Sequence, residues 1–64
     1  MVKAGDKVKL IDATNLDDLY EGQEGYVAGS HLFPPPQGVL IFFQPDDRDS
    51  KIYPVNPRRL EKVE

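Results

Sequence analysis

Two glycine phrases laid over alternating apolar residues constrain this chain more than any other feature. Gly5-Asp6-Lys7-Val8-Lys9-Leu10 starts one extended segment, and Gly22-Gln23-Glu24-Gly25-Tyr26-Val27 turns the chain into another. In the first, Val8 and Leu10 alternate with Lys7 and Lys9, the period-two pattern of a half-buried strand over about residues 6–11. In the second, Gly22 and Gly25 are expected to bracket a tight turn, because glycine reaches positive φ without steric cost. Tyr26-Val27-Ala28 then runs as the following strand.

The rest of the chain continues in short pieces. Within the long first loop, residues 12–21, Leu16, Leu19 and Tyr20 fall at i, i+3 and i+4. With Thr14 placed to cap and Asp17 three residues on, that spacing predicts one helical turn. His31-Leu32-Phe33-Pro34-Pro35-Pro36-Gln37-Gly38 is excluded as an interior strand. Consecutive prolines lack amide donors and favour polyproline II geometry, so a projecting connection is expected. Val39-Leu40-Ile41-Phe42-Phe43 is the strongest strand signal, and Pro45 to Ser50 is a polar turn closing a hairpin. Lys51-Ile52-Tyr53-Pro54-Val55 reads as a fourth strand, with Pro54 marking a sheet edge or strand end. Asn56-Pro57-Arg58-Arg59 suits a 3₁₀ turn that delivers Leu60-Glu61-Lys62-Val63 as the last strand. With no internal repeat, residues 1–64 read as one domain. Five short strands, a long first loop and a late 3₁₀ turn together resemble an all-β, five-stranded SH3-like barrel. The competing five-stranded barrel, of the OB type, usually has longer strands and an intervening helix.

Composition bounds what such a fold can do. At 64 residues the chain is near the lower limit for folding without staples, and it has no cysteine for a disulfide or a thiolate metal site. About a dozen apolar side chains are available for a core, each contributing roughly 1.5–3 kcal/mol on burial. Ordering the chain costs about 1.5 kcal/mol per residue, so self-association or a partner would stabilise it usefully. No apolar run approaches the ~20 residues needed to span a membrane, and the first residues lack a secretion signal. A cytoplasmic protein is the expectation. The net charge of −3 argues weakly against nucleic acid. It hides a segregation: Asp12, Asp17, Asp18, Glu21 and Glu24 form an acidic stretch, while Lys3, Lys7 and Lys9 crowd the start and Arg58, Arg59 and Lys62 the end.

Candidate binding residues follow from these patterns. The segment Val39 to Phe43 is apolar at every position, although a one-core barrel needs only one apolar face per strand. The surplus is either covered by the Leu32-Phe33-Pro loop or the helical turn, or left for a subunit or partner. Because first and last strands of small barrels lie side by side, Lys7, Lys9, Arg59 and Lys62 are expected near one another, a surface for RNA or an acidic protein. The acidic first loop carries Tyr20 with Tyr26 nearby, but the chain has no tryptophan and lacks the paired aromatics of a Pro-rich-peptide groove. Phe33-Pro34-Pro35-Pro36 resembles the proline motif read by EVH1 domains but lacks its fourth proline and flanking acid, so a stiff loop is the better reading. Catalytic signals are thin. His31 has no cysteine partner, and Asp46, Asp47 and Asp49 crowd a turn without the spacing of a calcium loop.

Two resemblances add expectations. Lys51-Ile52-Tyr53-Pro54-Val55 followed by Leu60-Glu61, with the opening Gly5-Asp6-Lys7-Val8-Lys9, resembles the plasmid-borne type II dihydrofolate reductases over most of residues 5–63. That resemblance implies a homotetramer whose central pore brings NADPH and dihydrofolate together, with Ile52 and Tyr53 at pore-strand positions. Lys51 stands where the family has its pore glutamine, and Leu10 where it has a substrate-attracting lysine. The glycine phrases are also similar to the KOW motif of ribosomal and transcription-elongation proteins, which implies RNA or ribosome association. Small barrels also serve as accessory subunits of photosynthetic electron-transfer complexes, a general likeness only.

The leading expectation is a non-catalytic SH3-like barrel acting as a protein-interaction module, self-associating or docked on a larger complex, with no metal or cofactor. Its expected contacts are Lys51, Ile52 and Tyr53 at one surface and Leu32 and Phe33 at another, with Tyr20, Lys7, Lys9 and Arg59 as further partner-binding residues. The alternatives are an NADPH-dependent reductase of the type II kind and a KOW-like RNA-binding domain.

Overall fold

The alternation around Val8 and Leu10 becomes strand β1 (Lys7–Leu10), and both apolar side chains are wholly buried. The computed structural model describes residues 2–47 and 51–63. It continues with β2 (Glu24–Leu32), β3 (Val39–Pro45), β4 (Tyr53–Val55), a 3₁₀ helix (Pro57–Arg59) and β5 (Leu60–Lys62). All five strands join one antiparallel sheet in the order β4-β3-β2-β1-β5, with β4 and β5 as its two unjoined edges. The sheet bends far enough that Val55 of one edge and Leu60 of the other enter the same core as Val8, Leu10, Leu19, Val27, Ile41 and Phe43. Val2, Ala13, Leu16 and Tyr53 pack around that cluster. Among the described residues no helix is long and apolar enough to cross a membrane.

The β2–β3 hairpin is the spine of the fold. Its register runs from Gly25 opposite Pro45 to Leu32 opposite Val39, with a bulge between Val27 and Gly29. The extra residue resets the alternation. Val27 faces the core opposite Phe43, and beyond the bulge Ser30 takes the inner side opposite Ile41. The doubly apolar β3 is thereby divided: Ile41 and Phe43 are buried, whereas Leu40 and Phe42 lie half-buried on the outer face. Gly22 holds a φ of 89°, the positive value expected of it. Gly25 is required for a different reason than the expected turn. A Cβ there would collide with the Gln44 carbonyl oxygen and stand 2.8 Å from Pro45 Cα, so the backbones of β2 and β3 meet where only glycine fits.

Several expectations are corrected. Instead of a helical turn, the first loop makes two successive turns, Leu16 N–H donating to Ala13 O (3.0 Å) and Leu19 N–H to Leu16 O (3.4 Å). Asn15 sits at φ 64°, a left-handed conformation that no right-handed helix accommodates. Asp12, not Thr14, provides the local acceptor, its Oδ1 taking the Thr14 amide at 3.0 Å. Leu16 and Leu19 reach the core all the same. His31 and Leu32 belong to β2, so the projecting connection is a strand pair closed by a tight turn. Phe33 N–H donates to Gly38 O (2.9 Å) and Gln37 N–H to Pro34 O (3.2 Å), in place of extended polyproline geometry. The fourth strand is shorter than expected. Its ladder to β3 begins at Phe43 opposite Tyr53, leaving Lys51 and Ile52 exposed ahead of it. The polar turn after Pro45 is described only through Asp47; Arg48, Asp49 and Ser50 lie outside the described residues.

The edge position of Pro54 and the late 3₁₀ turn stand as read. Pro54 pairs with Phe42 on edge strand β4. Asn56 Oδ1 accepts the Arg58 amide at 2.9 Å to start the 3₁₀ helix.

Candidate functional site

The far end of the β2–β3 hairpin outruns its neighbours. Register pairs between β1 and β2 stop at Lys7 opposite Tyr26, and β4 leaves β3 at Val55 opposite Ile41. Beyond those points His31 pairs with Leu40 and Leu32 with Val39, with no flanking strand among the described residues. The result is a two-stranded arm. Leu32 is 71 % exposed at its tip and Val39 is 44 % exposed beside it. On the outer face His31 and Phe33 stack edge-on, ring centroids 4.8 Å apart. Phe42 continues this outer strip opposite Gly29 and Pro54.

At the root of the arm, on its inner face, a groove of about 310 Å³ opens. Val2, Ser30, Val39, Ile41, Pro57, Leu60 and Lys62 line it. Its floor is mostly apolar, and the charge on its rim is matched, since Lys62 Nζ lies 3.9 Å from Asp6 Oδ2.

The other expected contacts are dispersed. Lys51 and Ile52 are exposed at the opposite end of β3 from Leu32, with Ile52 at 51 %. Tyr53 turns inward against the core and, with Pro54 and Val55, forms one wall of a groove of about 270 Å³ whose other wall is Asn15 to Leu19. The basic residues do not gather into one patch. Lys7 and Lys9 project from the face of β1 opposite Val8, whereas Lys62 stands on the side of Val8, its register partner. Each has an acid beside it: Lys7 lies 3.7 Å from Glu24 and 3.9 Å from Asp46, and Lys9 lies 3.8 Å from Glu61. Lys7 Nζ also sits 5.8 Å from the centre of the Tyr26 ring.

Arg59 is spent on the fold, its Nη1 donating to Asp12 O (3.0 Å) and Thr14 O (2.9 Å). The carboxyl of Asp12 is held below its ordinary value, first by hydrogen bonding from the Thr14 hydroxyl and amide, then by the Arg59 charge. With Asn56 and Arg58 these two residues border a polar cleft of about 350 Å³. Among the described residues no group of three metal-binding side chains converges.

Tyr20 acts in the fold as well. Its hydroxyl donates to Asp47 Oδ2 at 2.7 Å, while Gln23 Nε2 donates to Asp47 Oδ1 at 2.9 Å. Gln23, a polar residue buried to 1 % exposure, also accepts the Tyr20 amide at 3.3 Å and was missed in the sequence. The arm had a signal in the sequence that was also missed. Between Glu24 and Asp46 there is no Asp, Glu, Lys or Arg at all, in a chain that is 30 % charged. Comparison with known proteins gives no match, whether to a family model, a curated protein or a solved structure.

Proposed function

We propose that this protein is a non-catalytic docking module, built on an SH3-like barrel, that works by association through the arm of its β2–β3 hairpin. The sheet order β4-β3-β2-β1-β5 and the 3₁₀ turn before the last strand support that barrel assignment. The carrying observation is the arm itself, an uncharged strand pair beyond its flanking strands with Leu32 at 71 % exposure. Burying such a side chain is worth roughly 1.5–3 kcal/mol, a large gain for a domain this small. Apolar arms with open strand edges ordinarily belong to interfaces, because left bare they invite aggregation.

The geometry favours docking over the two alternatives. Leu10, the position resembling the reductases' substrate-attracting lysine, is 0 % exposed in the core, so this chain has no surface charge there. Lys7, Lys9, Arg59 and Lys62 each lie within 4 Å of a carboxylate, which leaves little positive field for RNA phosphates.

A photoreactive side chain placed at position 32, with another at Ile11 as a distant control, tests the reading. Crosslinking is run in concentrated purified protein and in an extract of the producing cells. A discrete adduct through position 32 and none through 11 is expected. Failure of position 32 to give an adduct in either setting would overturn the proposal.

A further inference from the structure

We infer that the arm's partner is a second copy of this chain, the Leu32 of each protomer seating in the groove at the root of the other's arm. The inference rests on the docking proposal and names its occupant. Three observations carry it. The knob and the hole share one face, since Leu32 pairs with Val39 and both Val39 and Ile41 line the groove. A two-fold axis beside the arm therefore satisfies both contacts at once, the self-complementary arrangement that closed dimers require.

Charge is the second observation. Two copies of a molecule with net charge −3 repel one another unless their acids are held apart. Residues 25–45 carry no Asp, Glu, Lys or Arg, so arms meeting arms bring no like charges into contact. The third is the state of the groove. Its one charged lining residue, Lys62, already has Asp6 at 3.9 Å, so the groove offers an incoming segment apolar surface and no unmatched ion. An uncharged side chain such as Leu32 suits it; a charged peptide would be desolvated there without a counter-ion.

Sedimentation equilibrium of the purified chain across a concentration series gives the test, with Leu32→Ser and Ile52→Ser compared. A reversible dimer is expected. Leu32→Ser should raise its dissociation constant roughly a hundredfold, because each dimer loses the buried leucine twice. Ile52→Ser should leave it unchanged, and both variants should keep the circular dichroism of the parent. A chain that stays monomeric at every concentration while position 32 still crosslinks in extract would overturn this inference and leave the docking proposal standing. Dimers weakened by Ile52→Ser and not by Leu32→Ser would overturn it too, placing self-association at the β4 end.

Discussion

Tyr20 and Asp47, twenty-seven positions apart, are joined by a hydroxyl-to-carboxylate hydrogen bond of 2.7 Å that ties the first loop to the turn after β3. The same carboxylate accepts Gln23 Nε2, and Gln23 is buried. Asp47→Ala strips a buried amide of its acceptor, which costs about 1–3 kcal/mol, whereas Tyr20→Phe removes a bond at the surface and costs about 1 kcal/mol or less. Urea denaturation should rank the variants in that order. In a domain this small each kcal/mol is about 4–8 °C in Tm. Equal losses would show that Gln23 does not depend on Asp47.

Gly25 and Gly29 both lie in β2 and should respond very differently to one added methyl group. At Gly25 the new carbon meets the backbone of Gln44 and Pro45, which cannot rotate away. At Gly29 the nearest atom is Phe42 Cδ2 at 3.9 Å, an ordinary contact. Gly25→Ala should therefore cost about 3 kcal/mol or more by prising β2 from β3, while Gly29→Ala stays within about 1 kcal/mol of the parent. Thermal denaturation separates these outcomes. A tolerated alanine at 25 would mean the hairpin register is wrong.

How much of this was legible beforehand depended on the range of the forces involved. Val8 and Leu10, the edge proline at 54 and the Asn56-capped 3₁₀ turn follow from alternation and turn chemistry, which act over a few residues, whereas the unbroken apolar run at 39–43 marked a strand without telling which of its faces is buried. The first loop misled because Leu16, Leu19 and Tyr20 have helical spacing, yet each is claimed by a distant partner: the leucines by the core, Tyr20 by Asp47. The reach of β2 to Leu32 was hidden by the prolines that follow it. A proline run marks where pairing must stop and says nothing about how close to it pairing persists. Leu32 and Phe33 were legible as a surface apart from Lys51 and Ile52, but the inward turn of Tyr53 against the core required the pairing of β3 with β4.

Acid should act through Asp12. Its carboxyl is depressed below the ordinary 3.8 in the fold, so its contribution is present in full above that value and is lost as pH falls through the lower folded-state value. Asp12→Asn should accordingly be less stable than the parent at neutral pH, with the gap closing as pH falls below 3.8. Denaturation midpoints measured from pH 7 to pH 2 would show it. A gap that widens in acid would mean the charge on Asp12 opposes the fold.

Lys7 stands between Glu24 at 3.7 Å and Asp46 at 3.9 Å. Reversing it to Glu sets three carboxylates together on an exposed face, a penalty of about 1 kcal/mol in dilute buffer. Exposed charges are screened within about 3 Å at 1 M salt, so most of that penalty should vanish there. Comparing Lys7→Glu with the parent at low and high sodium chloride reads the difference directly. A salt-independent loss would assign Lys7 a packing role over Tyr26 instead.

The arm should betray its role through its own amides. Residues 30–32 and 39–40 lie beyond the flanking strands, whereas Val27 donates to Asp6 O at 2.9 Å and accepts from Gly5 N–H at 2.8 Å within the sheet. A strand pair with open edges unfolds locally at lower free energy than one held on both sides. In dilute protein, hydrogen exchange at Phe33, whose amide closes the arm on Gly38 O at 2.9 Å, should therefore run well ahead of Val27. Raising the protein concentration should slow the arm amides selectively as association covers them, with the core amides unchanged. Arm exchange that is fast and indifferent to concentration, in the presence and absence of cell extract, would remove the physical basis for docking, because an element that gains no protection has gained no partner.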